Sequence, residues 1–235
     1  GALFLKDVHC SFEAPSNVIC PNYNGVIYYD ISFQNDTILY NIGSKNFIEL
    51  QNDDVIGNIV EKKVISDKFG VGGYMFADVK EFLDHANFIK KLDQKFGNLP
   101  IRSSDLIWSM IIRGNKTGEV MARASPSFND FSTLQGWQAH WVKCSSTNYQ
   151  VSSTNSSSPF GSPPSMHPSF VPKIQLPLPV LQNKRRFHVV LPMGGLGSRF
   201  AADPSFQGLP KPLIPIDGQP MFLKCLSSLE GIKAN

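Results

Sequence analysis

A stretch rich in serine and proline, residues 144–184, most constrains how this chain can fold. It contains the run Ser-Ser-Thr-Asn-Ser-Ser-Ser-Pro at 152–159 and prolines as late as Pro177 and Pro179. Such a stretch has little apolar surface to offset the entropy of ordering it, and its prolines remove backbone donors. We predict a flexible linker, stiffening toward polyproline at its end, between patterned pieces at 1–143 and 185–235.

Length and composition exclude several classes of protein. The 235 residues are 42% apolar and 17% charged, which suits one domain or two small ones and excludes a disordered polymer. No run of eighteen apolar residues occurs, so no membrane insertion is predicted. A net charge of +3 is too weak to predict nucleic-acid binding. The four cysteines lack a C-x-x-C pair, and no signal-peptide pattern follows Gly1, so we predict a cytoplasmic location.

The first piece mixes strand and helix patterns. Short β-prone runs occur at Ala2–Leu5, Val26–Tyr29 and 69–76, and Phe47–Leu50 with Val55–Val60 flank turn residues, which predicts a hairpin. Helices are predicted from an Asp78 cap to about Phe96, from a Ser103 or Ser104 cap over Asp105–Arg113, and over Thr133–Lys143. A further strand is predicted near Glu119–Ala124. The mixture predicts an α/β fold.

The last piece carries a pattern typical of phosphate binding. The β-prone run Phe187–Pro192 leads directly into Met-Gly-Gly-Leu-Gly-Ser-Arg-Phe at 193–200, and a helix is predicted from about Pro220 to Leu229. A strand that ends in a glycine-rich turn presents bare N–H groups that can surround a phosphate, and Arg199 adds a bidentate cation. Lys211 follows between two prolines, so its backbone has few alternatives and its ammonium can be aimed.

The spacing of the glycines distinguishes this loop from the P-loop and from the dinucleotide-binding loop. The P-loop pattern is absent, and the dinucleotide fingerprint fits Gly195 and Gly197 but meets Phe200 where a third small residue belongs. The remaining pair, G-G-x-G-S-R-F followed by P-K-P-L-I-P-I, resembles the N-terminal signature of the sugar-phosphate nucleotidylyltransferases. That family joins a sugar 1-phosphate to a nucleoside triphosphate and releases pyrophosphate. The resemblance implies nucleotide binding by Gly194, Gly195, Gly197 and Ser198, with Arg199 and Lys211 as catalytic residues.

The first piece resembles the later part of the same family. Residues 1–12 resemble its metal-binding strand, Glu61-Lys62 its E-K motif, Gly72-Gly73-Tyr74 its G-Y strand, and 128–133 its D-x-G-T segment. The resemblance implies a Rossmann-like mixed sheet flanked by helices, present as two partial copies. It also implies sugar-phosphate binding by Glu61, Lys62, Gly72 and Gly73, and Mg²⁺ at Asp130. The branch that it resembles most supplies surface and capsule sugars.

Four departures from the family's pattern limit what the resemblance implies. The N-terminal signature follows the C-terminal half, and the family's middle is missing. At the first metal position the chain has Asp7-Val8-His9, where the family has an aspartate in place of His9, and Ser132 replaces a glycine. Imidazole is a poor ligand for Mg²⁺, so Asp7 is the substitute candidate, two residues away on the strand.

Each candidate residue also has a structural interpretation. Glu61 and Lys62 could form an exposed hairpin end, Asp130 could cap the following helix, and Gly72 and Gly73 could relieve strand packing. His9 could be a satisfied strand histidine.

Three hypotheses follow for the whole chain. The first is a fragment of a tandem enzyme, the tail of one copy followed by the head of the next. The second is a non-catalytic nucleotide-sugar-binding pseudoenzyme or regulatory domain. The third, ranked last, is a permutation in which 185–235 supply the first strand of 1–143, because the missing middle would leave that sheet short of strands. The substrates implied are a nucleoside triphosphate and a sugar 1-phosphate, with homo-oligomers or self-association of partial domains also open. Neither the sugar nor the base follows from the sequence.

Overall fold

The computed structural model describes residues 1–15, 22–33, 42–97, 101–140, 187–193, 200, 203–206, 208–227 and 229. The predicted linker at 144–184 lies outside the described residues. The strands, in chain order, are β1 (Ala2–Lys6), β2 (Cys10–Phe12), β3 (Asn24–Asp30), β4 (Asn46–Asn52), β5 (Val55–Glu61), β6 (Lys68–Phe76), β7 (Val120–Ala124), β8 (Phe128–Asp130), β9 (Phe187–Val190), β10 (Pro215–Ile216) and β11 (Gln219–Pro220). The helices are α1 (Val79–Phe96), α2 (Ser103–Arg113), α3 (134–140 of the described residues) and α4 (Met221–Ser227).

The largest sheet of the described residues has seven strands in the order β3-β7-β5-β4-β6-β1-β9, and β3 also pairs with β6. Two pairings, β3 with β7 and β1 with β9, are parallel, and the others are antiparallel. Two-stranded sheets join β2 to β8 and β10 to β11. The predicted mixed α/β class is therefore confirmed. The Rossmann-like arrangement, the two partial copies and the domain boundaries stay predictions.

Local signals predicted most of these elements. β4 and β5 form the expected antiparallel hairpin. The Asp78 side chain caps α1 by accepting from the Lys80 N–H at 3.0 Å, and Gly97 ends that helix with a φ of 117°. The cap of α2 differs from prediction, because this helix begins at Ser103 and Arg102 is its N-cap residue. There the Asp105 carboxylate accepts from the Arg102 N–H at 2.8 Å, which gives the first turn the acceptor that the serines were expected to supply.

Side chains alternate across the large sheet and build a core on each face. On one face Leu3, Leu5 and Ile48 pack against Ile89 of α1 and Ile107 of α2. The opposite face buries mainly aromatic residues beneath the β2–β8 sheet: Phe4, Phe12, Tyr29, Phe47, Phe69 and Phe128. Because β1 alternates, Phe4 and Lys6 point to this second face while Leu3 and Leu5 point to the first.

The C-terminal piece packs onto the N-terminal piece within the one chain. β9 lies parallel to β1, with Val190 opposite Leu5. The Trp137 indole donates to the carbonyl of Pro215 at 2.6 Å, and the Cys225 thiol donates to the carbonyls of Val8 and Cys10. A third core cluster joins Phe131 to Phe200, Phe206, Ile214, Ile216 and Met221.

This packing corrects one step of the sequence argument. The permutation hypothesis was ranked last because the sheet was expected to be short of strands. In the structure β9 pairs directly with β1 and completes a seven-stranded sheet. That objection was wrong, and the strand pairing is the one that the permutation hypothesis requires.

Candidate functional site

The candidate site lies where β1 and β9 end. Both strands run in the same direction, so the turn after Lys6 and the chain after Val190 leave the sheet at the same edge. In sheets with parallel strands, ligands commonly bind outside these carboxyl ends. The predicted glycine loop begins four residues after Val190. Its residues Gly194, Gly195, Gly197, Ser198 and Arg199 lie outside the described residues, so their predicted roles stay predictions.

Asp7 is held against the middle of β6. Its N–H donates to the carbonyl of Gly72 at 2.7 Å. Gly72 has a φ of +81°, and a Cβ there would lie 2.6 Å from the Cβ of Asp7, so only glycine allows this approach. Burial raises the pKa of the Asp7 carboxyl, although the charges of Lys6 and Lys45 act to lower it.

Asp130 is ion-paired with Lys45, a residue to which the sequence analysis gave no role. The Lys45 Nζ lies 2.6 Å from Oδ2 of Asp130, and the two side chains are only 11% and 6% exposed. The other carboxylate oxygen, Oδ1, accepts from the Ser132 N–H at 2.8 Å. Burial alone would raise the pKa of Asp130, but the Lys45 charge and these hydrogen bonds hold that pKa below its ordinary value.

Asp130 does not cap the helix that follows it. The N–H of Gly136 instead bonds the hydroxyl of Thr133 at 3.1 Å, so Thr133 supplies the side-chain acceptor in the first turn of α3. The structural interpretation weighed for Asp130 is therefore wrong. Its carboxylate is directed to Lys45 and to the turn at Ser132.

His9 lies in the turn before β2, in a field dominated by lysines. Its backbone carbonyl accepts from the Phe131 N–H at 2.8 Å, and no described residue hydrogen-bonds its ring. Burial and the charges of Lys211 and Lys45 lower the pKa of His9 to about 3, opposed by Asp130. His9 therefore lies outside the strands, and among the described residues its ring has no hydrogen-bond partner. Its surroundings favour negative charge, as bound phosphate would provide.

Lys211 reaches this field from the C-terminal piece. It begins a short 3₁₀ turn, Lys211–Leu213. In this turn the N–H of Leu213 donates to the carbonyl of Pro210, and the N–H of Ile214 donates to the carbonyl of Lys211. Its ammonium lies 5.8 Å from the ring centroid of Phe200. Its charge acts on both Asp7 and His9, which are about 200 residues away in sequence. The structure thus brings Lys211 together with the first piece's candidates.

Glu61 and Lys62 end the β4–β5 hairpin in different environments. Glu61 is half-buried, and its Oε2 accepts from the Ser104 hydroxyl at 2.7 Å at the start of α2. Lys62 is exposed, has a φ of 57°, and donates its N–H to the carbonyl of Lys45 at 2.8 Å. The exposed-hairpin interpretation therefore holds for Lys62 and is wrong for Glu61.

The two candidate glycines of β6, Gly72 and Gly73, make close contacts with the protein itself. A Cβ at Gly73 would lie 2.7 Å from the Phe12 ring and 3.0 Å from Ile27, and at Gly72 it would meet Asp7. The structure thus gives both glycines the packing role that was weighed as the alternative. Sugar binding by Gly72 and Gly73 stays a prediction.

Two lysines of this region were missed by sequence reasoning. Lys6 is fully buried, donates to the carbonyl of Cys10 at 2.7 Å, and lies 4.4 Å from the ring centroid of Phe12. No sequence signal distinguished it from a solvated lysine at a strand end. Lys45 had a signal, because the predicted hairpin places the residue before β4 beside the residue after β5, and Lys45 indeed bonds Lys62.

The predicted Mg²⁺ ligands do not fit the ion as they stand. Mg²⁺ prefers carboxylate oxygens, but Oδ2 of Asp130 lies 2.6 Å from the Lys45 ammonium, whose positive charge opposes a second cation there, and Oδ1 accepts from the Ser132 N–H. The pKa of the second candidate, Asp7, is raised by burial, which disfavours its charged form. Among the described residues no three His, Cys, Asp or Glu side chains form a group that could hold a metal.

Comparisons with solved structures find a weak likeness, whereas the comparisons of sequence find none. No family model and no curated protein matches this sequence. A crystal structure of a nucleoside-diphosphate-sugar pyrophosphorylase from Vibrio cholerae RC9 is similar with a TM-score of 0.46 and 13% identity, over 59% of this chain and 55% of that chain. The chain thus spans about half the length of that protein. A likeness at this level does not establish a function. In the part of the chain that the structure describes, no helix has the length and apolar character needed to cross a membrane.

Proposed function

We propose that this chain forms a nucleotidyl-transfer site that joins a sugar 1-phosphate to a nucleoside triphosphate and releases pyrophosphate. One observation carries the proposal: β9 pairs in parallel with β1, and Phe131, the neighbour of Asp130, packs against Phe200 and Ile214 on either side of Lys211 in the sequence, so the motifs of the two pieces lie together. These residues belong to motifs that resemble the nucleotidylyltransferases independently of one another. Because motifs from both pieces lie in one chain, the proposed site combines the candidate residues for the nucleotide with those for the sugar phosphate.

The electrostatics suit a phosphate-bearing substrate. Three lysines, Lys6, Lys45 and Lys211, act on the ring of His9 against Asp130. A cluster of cations at partly buried positions stabilises the charge that gathers on phosphate oxygens during transfer, and it does so without reorganising. The reaction is an in-line displacement: a sugar phosphate oxygen forms a bond to the α-phosphorus, and the bond to the pyrophosphate oxygen breaks.

The proposed roles combine the family resemblance with the positions of the described residues. Lys211 steadies the α-phosphate, and the glycine loop with Arg199 holds the rest of the triphosphate. Lys62, which is exposed beside Lys45, pairs with the sugar phosphate, and Glu61 accepts from sugar hydroxyls. Mg²⁺ stays a prediction, and no step is assigned to it.

The test is pyrophosphate release from a panel of nucleoside triphosphates and sugar 1-phosphates. We expect Lys211→Met to lower kcat by about 10²-fold, a typical loss when one charge-stabilising donor is removed. Lys91→Met is the matched control, because Lys91 is exposed on α1. No release by the unsubstituted chain with any pair, or equal release by the two variants, would refute the proposed role of this site.

A non-catalytic nucleotide-sugar-binding protein is the second candidate. The Lys45–Asp130 pair favours it, because it engages the carboxylate that the resemblance assigns to the metal. It predicts binding of a nucleotide sugar by calorimetry without turnover, and His9→Asp would then change little. The cytoplasmic location, the tandem-fragment interpretation and homo-oligomerisation stay predictions.

A further inference from the structure

The Lys45 side chain is fixed in place from several directions. Its backbone N–H donates to Ile42 at 3.0 Å, and its carbonyl accepts from Lys62 at 2.8 Å. Its Nζ lies 5.2 Å from the ring centroid of Phe128, and only 11% of the side chain is exposed. Because both the backbone and the ammonium are held, the charge has little freedom to leave Asp130.

Lys45 also acts on both candidate metal carboxylates, Asp130 and its substitute partner Asp7. It is ion-paired with Asp130 at 2.6 Å, and its charge acts on Asp7 as well. Charges from the neighbouring elements complete the surroundings: Lys6 from β1, Glu61 from β5 and Lys211 from the C-terminal piece, while His9, whose pKa is lowered to about 3, is neutral at neutral pH. A divalent cation entering here would be repelled by the ammonium that already lies 2.6 Å from Oδ2 of Asp130.

We propose that the Lys45 ammonium occupies the position at Asp130 that a divalent cation would otherwise take, so that the cleft carries a built-in cation for phosphate-bearing ligands. An ammonium can neutralise a carboxylate with one N–H and donate another to a phosphate oxygen. The phosphate part of this inference rests on the proposed function. The displacement of the metal rests only on the described contacts.

The test is a titration of the full chain with Mn²⁺ alone, followed by electron paramagnetic resonance. We expect the unsubstituted chain to show no Asp130-dependent Mn²⁺ site. Lys45→Met leaves Asp130 buried without its ion-pair partner. We expect this variant to gain a site at Asp130 and to bind Mn²⁺ at least about tenfold more tightly than the unsubstituted chain does. The double variant Lys45→Met/Asp130→Asn loses that site, and the control Lys91→Met behaves as the unsubstituted chain.

Stability gives a second readout if Lys45→Met folds poorly. A ligand that binds only the folded state raises its apparent stability. Mn²⁺ should therefore raise the melting temperature of Lys45→Met but not of the double variant. Lys45→Arg keeps the cation, so it should fold normally and gain no Mn²⁺ site.

Calorimetry with pyrophosphate in EDTA tests the phosphate part. We expect the unsubstituted chain to bind and Lys45→Met to bind about tenfold more weakly. Mn²⁺ binding by the unsubstituted chain that Asp130→Asn abolishes would overturn the inference, as would a folded Lys45→Met that gains no site. Neither Mn²⁺ result depends on turnover, so failure of nucleotidyl transfer would leave this inference standing.

Discussion

Phe131 joins the two pieces of the chain, and its removal tests their packing. It follows Asp130, is fully buried, and donates its N–H to the carbonyl of His9 at 2.8 Å. Its ring lies in the cluster with Phe200, Phe206, Ile214, Ile216 and Met221. Phe131→Ala removes most of a buried aromatic side chain and leaves a cavity, so the free energy of unfolding should fall by about 3–5 kcal/mol.

Urea unfolding measures this loss, and hydrogen exchange locates it. With a slope of about 1–3 kcal/mol per molar urea, the midpoint should fall by at least about 1 M. Peptides from 203–227 should exchange faster, while α1 keeps its protection. Ile89→Ala is the matched control, because Ile89 is buried in the cluster on the other side of the sheet. A loss below about 1 kcal/mol for Phe131→Ala, or unchanged exchange in 203–227, would refute intramolecular packing of the two pieces.

Two further predictions concern Gly72 and His85. Gly72→Ala should cost more stability than Gly97→Ala in thermal melts, because both have positive φ but only at Gly72 would the Cβ strike a side chain, that of Asp7 at 2.6 Å; equal losses would contradict this. Burial, and next the Arg113 charge, lower the pKa of His85, which lies 2.8 Å from the Ser109 hydroxyl. The unfolded chain therefore binds the proton first, so this contribution is complete above about pH 6.5 and is lost as the pH falls below it. His85→Gln should therefore make the urea midpoint depend less on pH between pH 7 and 5. If the midpoints of the variant and the unsubstituted chain changed with pH in parallel, His85 would not be the group responsible.

The elements that the sequence predicted correctly are those whose signal is local. Asp78 and Gly97 mark the ends of α1, and the turn residues between β4 and β5 mark the hairpin, because caps and turns act over three or four residues. Asp105 as the acceptor at the start of α2 was missed since serines nearby offered an equally good local signal. The local sequence therefore predicted where α2 begins but not which residue caps it.

The candidate site was predicted in part, for a different reason. Motif residues such as Lys211 and Asp130 were found because their neighbours in sequence resemble a family pattern. Lys45 has no such neighbours, and its importance comes from the hairpin register and from the β2–β8 pairing, which brings Asp130 opposite Cys10. Pairing between strands far apart in sequence is set by the packing of the whole sheet, so a motif search does not reveal it.

The energetics of loop closure explain why the permuted arrangement was undervalued. The cost of closing a loop rises only with the logarithm of its length, by about 0.6 kcal/mol for each doubling. The long connection between residue 140 and residue 187 therefore adds little to the cost of pairing β9 with β1. Burying one large apolar side chain returns about 1.5–3 kcal/mol, and the third cluster contains several, among them Phe131 and Met221. A sheet with an unpaired edge at β1 exposes backbone groups that a strand from the same chain can satisfy. These physical terms favour docking of β9 against β1 within the chain.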